Sequence, residues 1–127
     1  MQSKRQRQVA EMIKRNFSMV LQQEGSYVYG PEPLVTVTEV HPTPDLSQAK
    51  IYLSVWNTDN KQAVLLQMEE EHQRLKSSLA HRLKRHIRRI PAIAFYIDET
   101  LDEMHRVDNM FDQLYDNDQM PREQEDE

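Results

Sequence analysis

The chain has 127 residues, 38% of them hydrophobic, with 16 Lys and Arg against 21 Asp and Glu for a formal net charge of -5. That length supports one domain with a modest core. The absence of cysteine excludes disulfide staples, thiol catalysis and cysteine-ligated zinc, no stretch approaches the ~20 apolar residues of a membrane span, and the N-terminal MQSKRQRQVAEM lacks the apolar segment of a secretory signal.

The first predicted element is a helix over 4–23. Val9, Ile13, Phe17, Val20 and Leu21 share one face, with Met12 at its edge and Lys4, Arg7, Lys14 and Arg15 to one side. Gly25 is the expected stop, followed by the loop SYVYGPEP. Residues 34–40 are β-branched and partly alternating, which predicts a strand. The segment 41–45 carries Pro42 and Pro44 and must turn. Residues 49–56 form the clearest strand, with Ile51, Leu53 and Val55 on one face and Lys50, Tyr52, Ser54 and Trp56 on the other. A short link between two strands predicts an antiparallel hairpin.

Asp59 is placed to cap the next helix, with Gln62 in a capping-box position. Val64, Leu65, Met68, Leu75, Leu79, Leu83 and Ile87 supply its apolar side. An unbroken helix would turn Lys76 into the leucine stripe, so a bend is expected at Ser77-Ser78. Pro91 is the expected end. Residues 93–97 read as a third strand, with Ile93, Phe95 and Ile97 on one face. Thr100 with Glu103 forms a capping box that starts an acidic helix over 99–118, apolar at Leu101, Met104, Phe111 and Leu114. Residues 119–127 are too polar to fold alone. The predicted fold is α+β, in the order αββααβ plus a C-terminal helix. The helices cover at least one face of a small three-stranded sheet.

Charge is segregated along the chain. Residues 1–91 hold 14 Lys and Arg against 9 Asp and Glu, whereas residues 92–127 hold 2 against 12. From His72 to Ile97 there is no carboxylate at all. Leu75, Leu79, Leu83 and Ile87 fall within about 120° of one another on a helix. Arg74, Arg82, Lys84, Arg85, Arg88 and Arg89 fall on the other side, which is the pattern of one face in a core and one offered to polyanion. A solvated cationic face is the plainer alternative, but solvated helices usually interleave Glu. With Arg5, the cations of the first helix make a second basic patch.

The order αββααβ with a bent helix pair resembles the KH fold of type II. Three blocks narrow the resemblance. Arg5-x-x-Gln8-Val9-Ala10-Glu11-x-Ile13 opens the first helix. Val35-Thr36-Val37-Thr38-Glu39-Val40 followed by Pro44-Asp45-Leu46-Ser47-x-Ala49-Lys50-Ile51-Tyr52-Leu53-Ser54 makes the hairpin. Ile90-Pro91-Ala92-Ile93-x-Phe95-x-x-Asp98-x-Thr100-Leu101 makes the last strand and its exit. In this order they resemble the ribosome-binding factor A family over most of residues 5–101. The chain departs from the usual pattern at Ala92-Ile93, where Glu-Leu is common, and at Glu32, which replaces an Arg.

The resemblance implies a KH-like domain over 1–98; the acidic helix over 99–118 and the disordered tail over 119–127 are read from the residues and lie outside the part that is matched. It implies a cytoplasmic, monomeric assembly factor without cofactor, metal or catalytic activity. Such a factor binds the immature small ribosomal subunit and its rRNA, near the neck and the 3′ end, and supports late rRNA processing, notably in the cold. The RNA-binding residues expected are Lys4, Arg5, Arg7, Lys14, Arg15, Arg74, Arg82, Lys84, Arg85, Arg88 and Arg89. A protein-binding adaptor acting through the acidic C-terminal helix is the competing reading.

KH domains that grip a nucleic-acid backbone do so with a GXXG loop between two helices. Gly25 and Gly30 are the only glycines and lie far from the helix pair. Contacts from Lys and Arg to phosphate are what remain. His81 and His86 are flanked by arginines, which repel a metal. Asp98 and Asp102 read as helix-start residues favoured by the dipole, Glu69-Glu70-Glu71 as a solvated face, and Tyr52 and Trp56 as packing residues with base stacking as the alternative.

Overall fold

The computed structural model describes residues 2–99. The expected acidic helix over 99–118 and the tail over 119–127 lie outside the described residues, apart from Glu99. Ahead of them stand α1 (Lys4–Tyr29), β1 (Leu34–Pro42), β2 (Gln48–Trp56), α2 (Lys61–Glu70), α3 (His72–Leu83) and β3 (Ala92–Ile97). The strand order is β1-β2-β3, with β1 antiparallel and β3 parallel to β2. This is the α+β, KH-like type II arrangement.

α1 begins at a capping box. The Ser3 hydroxyl accepts from the Gln6 amide at 3.1 Å, and the Gln6 side-chain oxygen accepts from the Ser3 amide at 2.8 Å. Gln6 also donates from Nε2 to the Pro42 carbonyl at 2.9 Å. One buried amide therefore both starts α1 and ties it to the end of β1. The helix does not stop at Gly25 as the sequence predicts. It runs on to Tyr29 and ends at Gly30, whose φ is 90°. Gly25 is kept small for packing: the Tyr29 side chain lies where a Cβ at Gly25 would stand. Burial among these neighbours raises the Tyr29 pKa above its ordinary value.

The first strand contains a bulge. The register shifts between Val37 and Glu39, and Thr38 Oγ1 donates to the Tyr52 carbonyl at 3.2 Å. The extra residue lets Val37 and Val40 both face the core, three positions apart, and turns Glu39 and His41 outward. The hairpin turn is closed by Asp45. Its Oδ1 accepts from the Ser47 amide at 3.1 Å, the Ser47 hydroxyl at 2.8 Å and the Thr43 hydroxyl at 2.8 Å. Leu46 takes a left-handed φ of 61°, a conformation costing roughly 1 kcal/mol or more for such a residue, and packs against the core.

α2 is capped by Asn60, not by Asp59. Asn60 Oδ1 accepts from the Ala63 amide at 3.0 Å. The chain leaving β2 needs Asn57 at φ 61° and the Thr58 hydroxyl for its turn, which delays the helix start by one residue. The bend is also displaced. It falls at Glu71, between α2 and α3, not at Ser77-Ser78. There His72 Nε2 meets the Ile93 carbonyl at 2.8 Å and its ring packs on Phe95, docking the start of α3 on β3. Ser78 spends its hydroxyl on Glu24 of α1 at 2.7 Å, so it joins two helices instead of breaking one. Lys76 is half-buried, and its stem can run along the surface.

α3 ends at Leu83, eight residues before Pro91. The Leu83 carbonyl accepts from His86 at 2.8 Å and Ile87 at 3.0 Å. This turn folds Ile87 onto the core at 5% exposure without another helical turn. Pro91 is fully buried, and the Ala92 amide donates to the Ser47 carbonyl at 2.9 Å to start β3.

One face of the sheet carries Val37, Val40, Ile51, Leu53, Val55, Ile93 and Phe95, and all three helices pack on it in a single apolar cluster. Phe17 of α1 stacks on Phe95 of β3 at 5.6 Å between ring centres.

Leu79 is fully buried, so Leu79→Ala should lower the unfolding free energy by about 2–5 kcal/mol in urea denaturation. Ser54 is buried with no hydrogen-bond partner for its hydroxyl among the described residues, so Ser54→Ala should leave stability unchanged or raise it. The Ser47 amide, then the Ser47 and Thr43 hydroxyls, hold the Asp45 carboxyl below the usual carboxylate range. With the folded pKa below the unfolded one, its stabilisation is complete above about pH 4 and fades as pH falls through the folded value. An NMR titration of Asp45 should show this low midpoint, and Ser47→Ala should raise it.

Candidate nucleic-acid interface

α1 and α3 run antiparallel. Arg74 and Ser78 reach Glu24, whereas Arg82, further along α3, reaches Asn16 and Met19. The end of α3 therefore lies beside the middle of α1, at Asn16 and Met19.

The structure divides the predicted cations by what they touch. Lys84, Arg85, Arg88 and Arg89 are exposed, as are His81 and His86. The four cations have no ion-pair or hydrogen-bond partner among the described residues. They do not continue the face of a helix, as the sequence suggests. They stand on a loop after α3, anchored by Leu83 and Ile87 at one end and Pro91 at the other. Cations on an anchored loop lose less conformational freedom on meeting phosphate than cations on a free one.

Arg82 belongs to a different class. It is half-buried, its Nε donates to Asn16 Oδ1 at 3.1 Å, and its Nη2 lies 3.0 Å from the Met19 sulfur. It braces α3 on α1 and is not the solvent-facing cation the helical wheel makes it. Arg74 is partly engaged too. Its Nε is 3.3 Å from Glu24 Oε1, and its guanidinium lies 5.7 Å from the centre of the Tyr27 ring.

On α1, Lys4, Arg5, Arg7, Lys14 and Arg15 are all exposed. Arg7 donates from Nη1 to the Gln2 carbonyl at 2.9 Å. Arg5 lies on the same side of the helix as Met12, Asn16 and Met19, the side turned to α3. Lys14 lies on the other side, in a hollow with Glu11 and with Thr38, Glu39 and His41 of β1. Arg5 thus stands apart on the α3 side, whereas Lys4, Arg7, Lys14 and Arg15 fall within about 100° of one another on the side away from the core.

The junction of the helix pair has the opposite sign. Glu69, Glu70 and Glu71 are exposed at the end of α2 and the bend. This is the place where a GXXG loop would cradle phosphate, and three carboxylates there repel it. Acid before the start of α3 and His81 and Arg82 in its last turn both suit the helix dipole. Among the described residues, no group of three His, Asp or Glu could hold a metal ion, and no helix is long and apolar enough to cross a membrane.

Helical periodicity misses three features of this surface. Glu24 and Asn16, the partners of α3, read as ordinary polar positions on α1. Gln6 was legible in principle, because Ser3-x-x-Gln6 has capping-box spacing. The third is an aromatic group on the open side of the sheet: Tyr52 stacks on Tyr96 at 5.4 Å and meets the His41 ring edge-on at 5.2 Å. Tyr96 alternates with Phe95 and Ile97, which already turns it away from the core.

Fold and surface together define the class: a KH-like type II domain without a phosphate-gripping glycine loop, carrying its free cations at one end of a helix pair. The family profile described as Ribosome-binding factor A matches residues 5–111. The chain belongs to the ribosome-binding factor A family, whose members have ribosome-associated roles and are not enzymes. It is 31% identical to the ribosome-binding factor A of Cytophaga hutchinsonii over 114 residues, covering 90% of this chain and 85% of that one. It is 30% identical to that of Alteromonas mediterranea over 120 residues, covering 93% and 89%. The crystal structure of ribosome-binding factor A from Thermus thermophilus superposes with a TM-score of 0.60 at 22% identity, over 72% of this chain and 94% of that one. A Thermus thermophilus homology model of the factor, fitted into a cryo-electron microscopy map of its complex with the 30S subunit, gives 0.55 at 22% identity over 70% and 90%.

The two kinds of arginine should separate in urea denaturation. Arg82→Ala should cost about 1 kcal/mol through the lost bond to Asn16. Arg85→Ala and Arg89→Ala should each stay within about 0.5 kcal/mol of the parent.

Proposed function

We propose that this chain is a cytoplasmic ribosome assembly factor that binds the immature small ribosomal subunit through its rRNA and supports late rRNA processing and maturation, with its contribution greatest in the cold. The observation that carries this reading is the loop of Lys84, Arg85, Arg88 and Arg89 after α3, exposed and without partners among the described residues. Membership of the family supports it, as does the similarity in fold to a protein fitted into a 30S complex.

The action is stoichiometric binding by a monomer, with no chemistry of its own. The loop cations, with Lys4, Arg5 and Arg15, neutralise phosphates of folded rRNA and release the counterions condensed on them. Arg7, Lys14 and Arg74 contribute from the edges, and Arg82 holds the two helices in register. Bound in this way, the factor holds an immature arrangement of rRNA until maturation removes the contacts. The surplus of acid in residues 92–127 disfavours nonspecific polyanion contacts.

The test is sedimentation with precursor and mature small subunits over a range of salt. Association should favour the precursor and weaken steeply with salt. Reversing Lys84, Arg85, Arg88 and Arg89 to Glu should abolish it at moderate salt without unfolding the chain. Single substitutions to Ala should each flatten the slope of log affinity against log salt by up to about 1. Salt-insensitive association, or a folded quadruple variant that still sediments with subunits, would remove this reading.

A further inference from the structure

Away from the helices, the sheet has a second face. Alternation turns Lys50 and Tyr52 of β2 and Ala92, Ala94 and Tyr96 of β3 outward, and the β1 bulge turns His41 to the same side. In the register Tyr52 is opposite Tyr96 and Lys50 is opposite both His41 and Ala94, so these residues are immediate neighbours. Tyr52 is held between two rings, edge-on to His41 at 5.2 Å and stacked on Tyr96 at 5.4 Å with 25° between planes. Tyr96 remains 41% exposed. The Lys50 ammonium lies 5.8 Å from the Tyr96 ring centre.

Beside the rings is a hollow of about 140 Å³ lined by His41, Gln48, Lys50, Ala92, Ala94 and Tyr96. Ala92 and Ala94 leave it open at the floor. Gln48 offers an amide at the rim, with both a donor and an acceptor.

We infer that this face is a second RNA site, a platform on which an unpaired nucleobase stacks against Tyr96 with its edge in the hollow, while Lys50 meets an adjoining phosphate and His41, its Nε2 held by Glu39 Oε1 at 2.6 Å, braces Tyr52. The inference rests on the reading above that the partner is RNA, and it names the part of the RNA that this face takes. A base needs a flat aromatic surface held rigid from behind, which Tyr52 supplies to Tyr96. It needs room at its edge, which the two alanines leave. Its backbone needs flexible cations close by, and Lys50 can leave the ring for a phosphate. A duplex fits none of this, because its bases are already stacked on one another. The loop at residues 84–89 has no Phe, Tyr or Trp and suits duplex or folded backbone. The two surfaces therefore divide the work between phosphate and base.

The test uses the full chain with a labelled single-stranded RNA of mixed sequence, and with a fully paired RNA hairpin of equal length. Tyr96→Ala should weaken the single strand about tenfold, the size of one lost base–aromatic stack, and change hairpin binding less than twofold. Tyr96→Phe keeps the ring and should bind as the parent does. Ala92→Glu fills the hollow with a carboxylate on an exposed position and should weaken the single strand at least as much. It carries the test if Tyr96→Ala does not fold. Single-strand affinity unchanged in Tyr96→Ala or Ala92→Glu would overturn the inference, as would Tyr96→Phe binding as poorly as Tyr96→Ala. Loss of a crosslink to a ribosomal protein with RNA affinity intact would overturn it also, and assign the face to protein. Its failure is separable from that of the functional reading: sedimentation with subunits can persist when the single strand ignores Tyr96, and the single strand can depend on Tyr96 in a chain that never sediments with subunits.

Discussion

A three-stranded sheet has one apolar face to remove from water, and most of that task falls to α1. Val9, Ile13, Phe17 and Val20 are each fully buried, and a side chain of that size contributes about 1.5–3 kcal/mol when fully buried. Because α1 covers the sheet along its length, α3 has to find its place beside α1. Antiparallel packing then sets which residues meet: Glu24 with Ser78 and Arg74, and Asn16 with Arg82. The end of α3 comes to the middle of α1 as a consequence, and the exposed cations of residues 84–89 follow from there.

The electrostatics of α3 follow the same geometry. Acid at its start and base at its end suit the helix dipole, worth a few tenths of a kcal/mol to about 1 kcal/mol at each end. That polarity separates this domain from KH relatives that hold phosphate at the helix junction. Here the junction carries Glu69, Glu70 and Glu71, and its backbone is bent at Glu71 without a glycine. His72, pinned to the Ile93 carbonyl, stiffens the bend. The fold has kept the helix pair and carries its exposed cations beyond the far end of α3.

Two arginines three residues apart show why charge alone does not define a site. Arg85 is exposed, whereas Arg82 is half-buried against Asn16 and Met19. A guanidinium can be a structural donor whose planar fork spans two helices, and only its neighbours distinguish that from a phosphate ligand. The open sheet face makes the converse point. Tyr52, read first as a packing residue, is indeed packed, but on Tyr96 and His41. The packing presents a ring to solvent instead of hiding one.

The sequence by itself determined the elements and their facing. Alternation in residues 51–55 and the periodic run from Val9 to Leu21 are local signals of burial. They held because a residue's face depends only on the 2.0 and 3.6 periods of the backbone. The family was legible for a similar reason, since the Asp45–Ser47 turn is a local hydrogen-bond pattern written in adjacent residues. Boundaries were not legible where a distant partner overrode the local signal. Gly25 did not stop α1, because Gly30, at φ 90° with its N–H bonded to the Ser26 carbonyl, ends it. Ser77-Ser78 failed to bend α3 because Glu24 took the hydroxyl of Ser78. Asp59 lost the cap to Asn60 because the turn through Asn57 consumed one more residue. α3 stopped at Leu83, since the chain had to leave the helix to bring Pro91 and Ala92 to the edge of β2. The parallel pairing of β3, the seating of α3 on α1 and the aromatic face depend on contacts between residues far apart in sequence. Such contacts form only when the apolar face of the sheet is covered, so tertiary structure alone decided which of the predicted cations are free to bind.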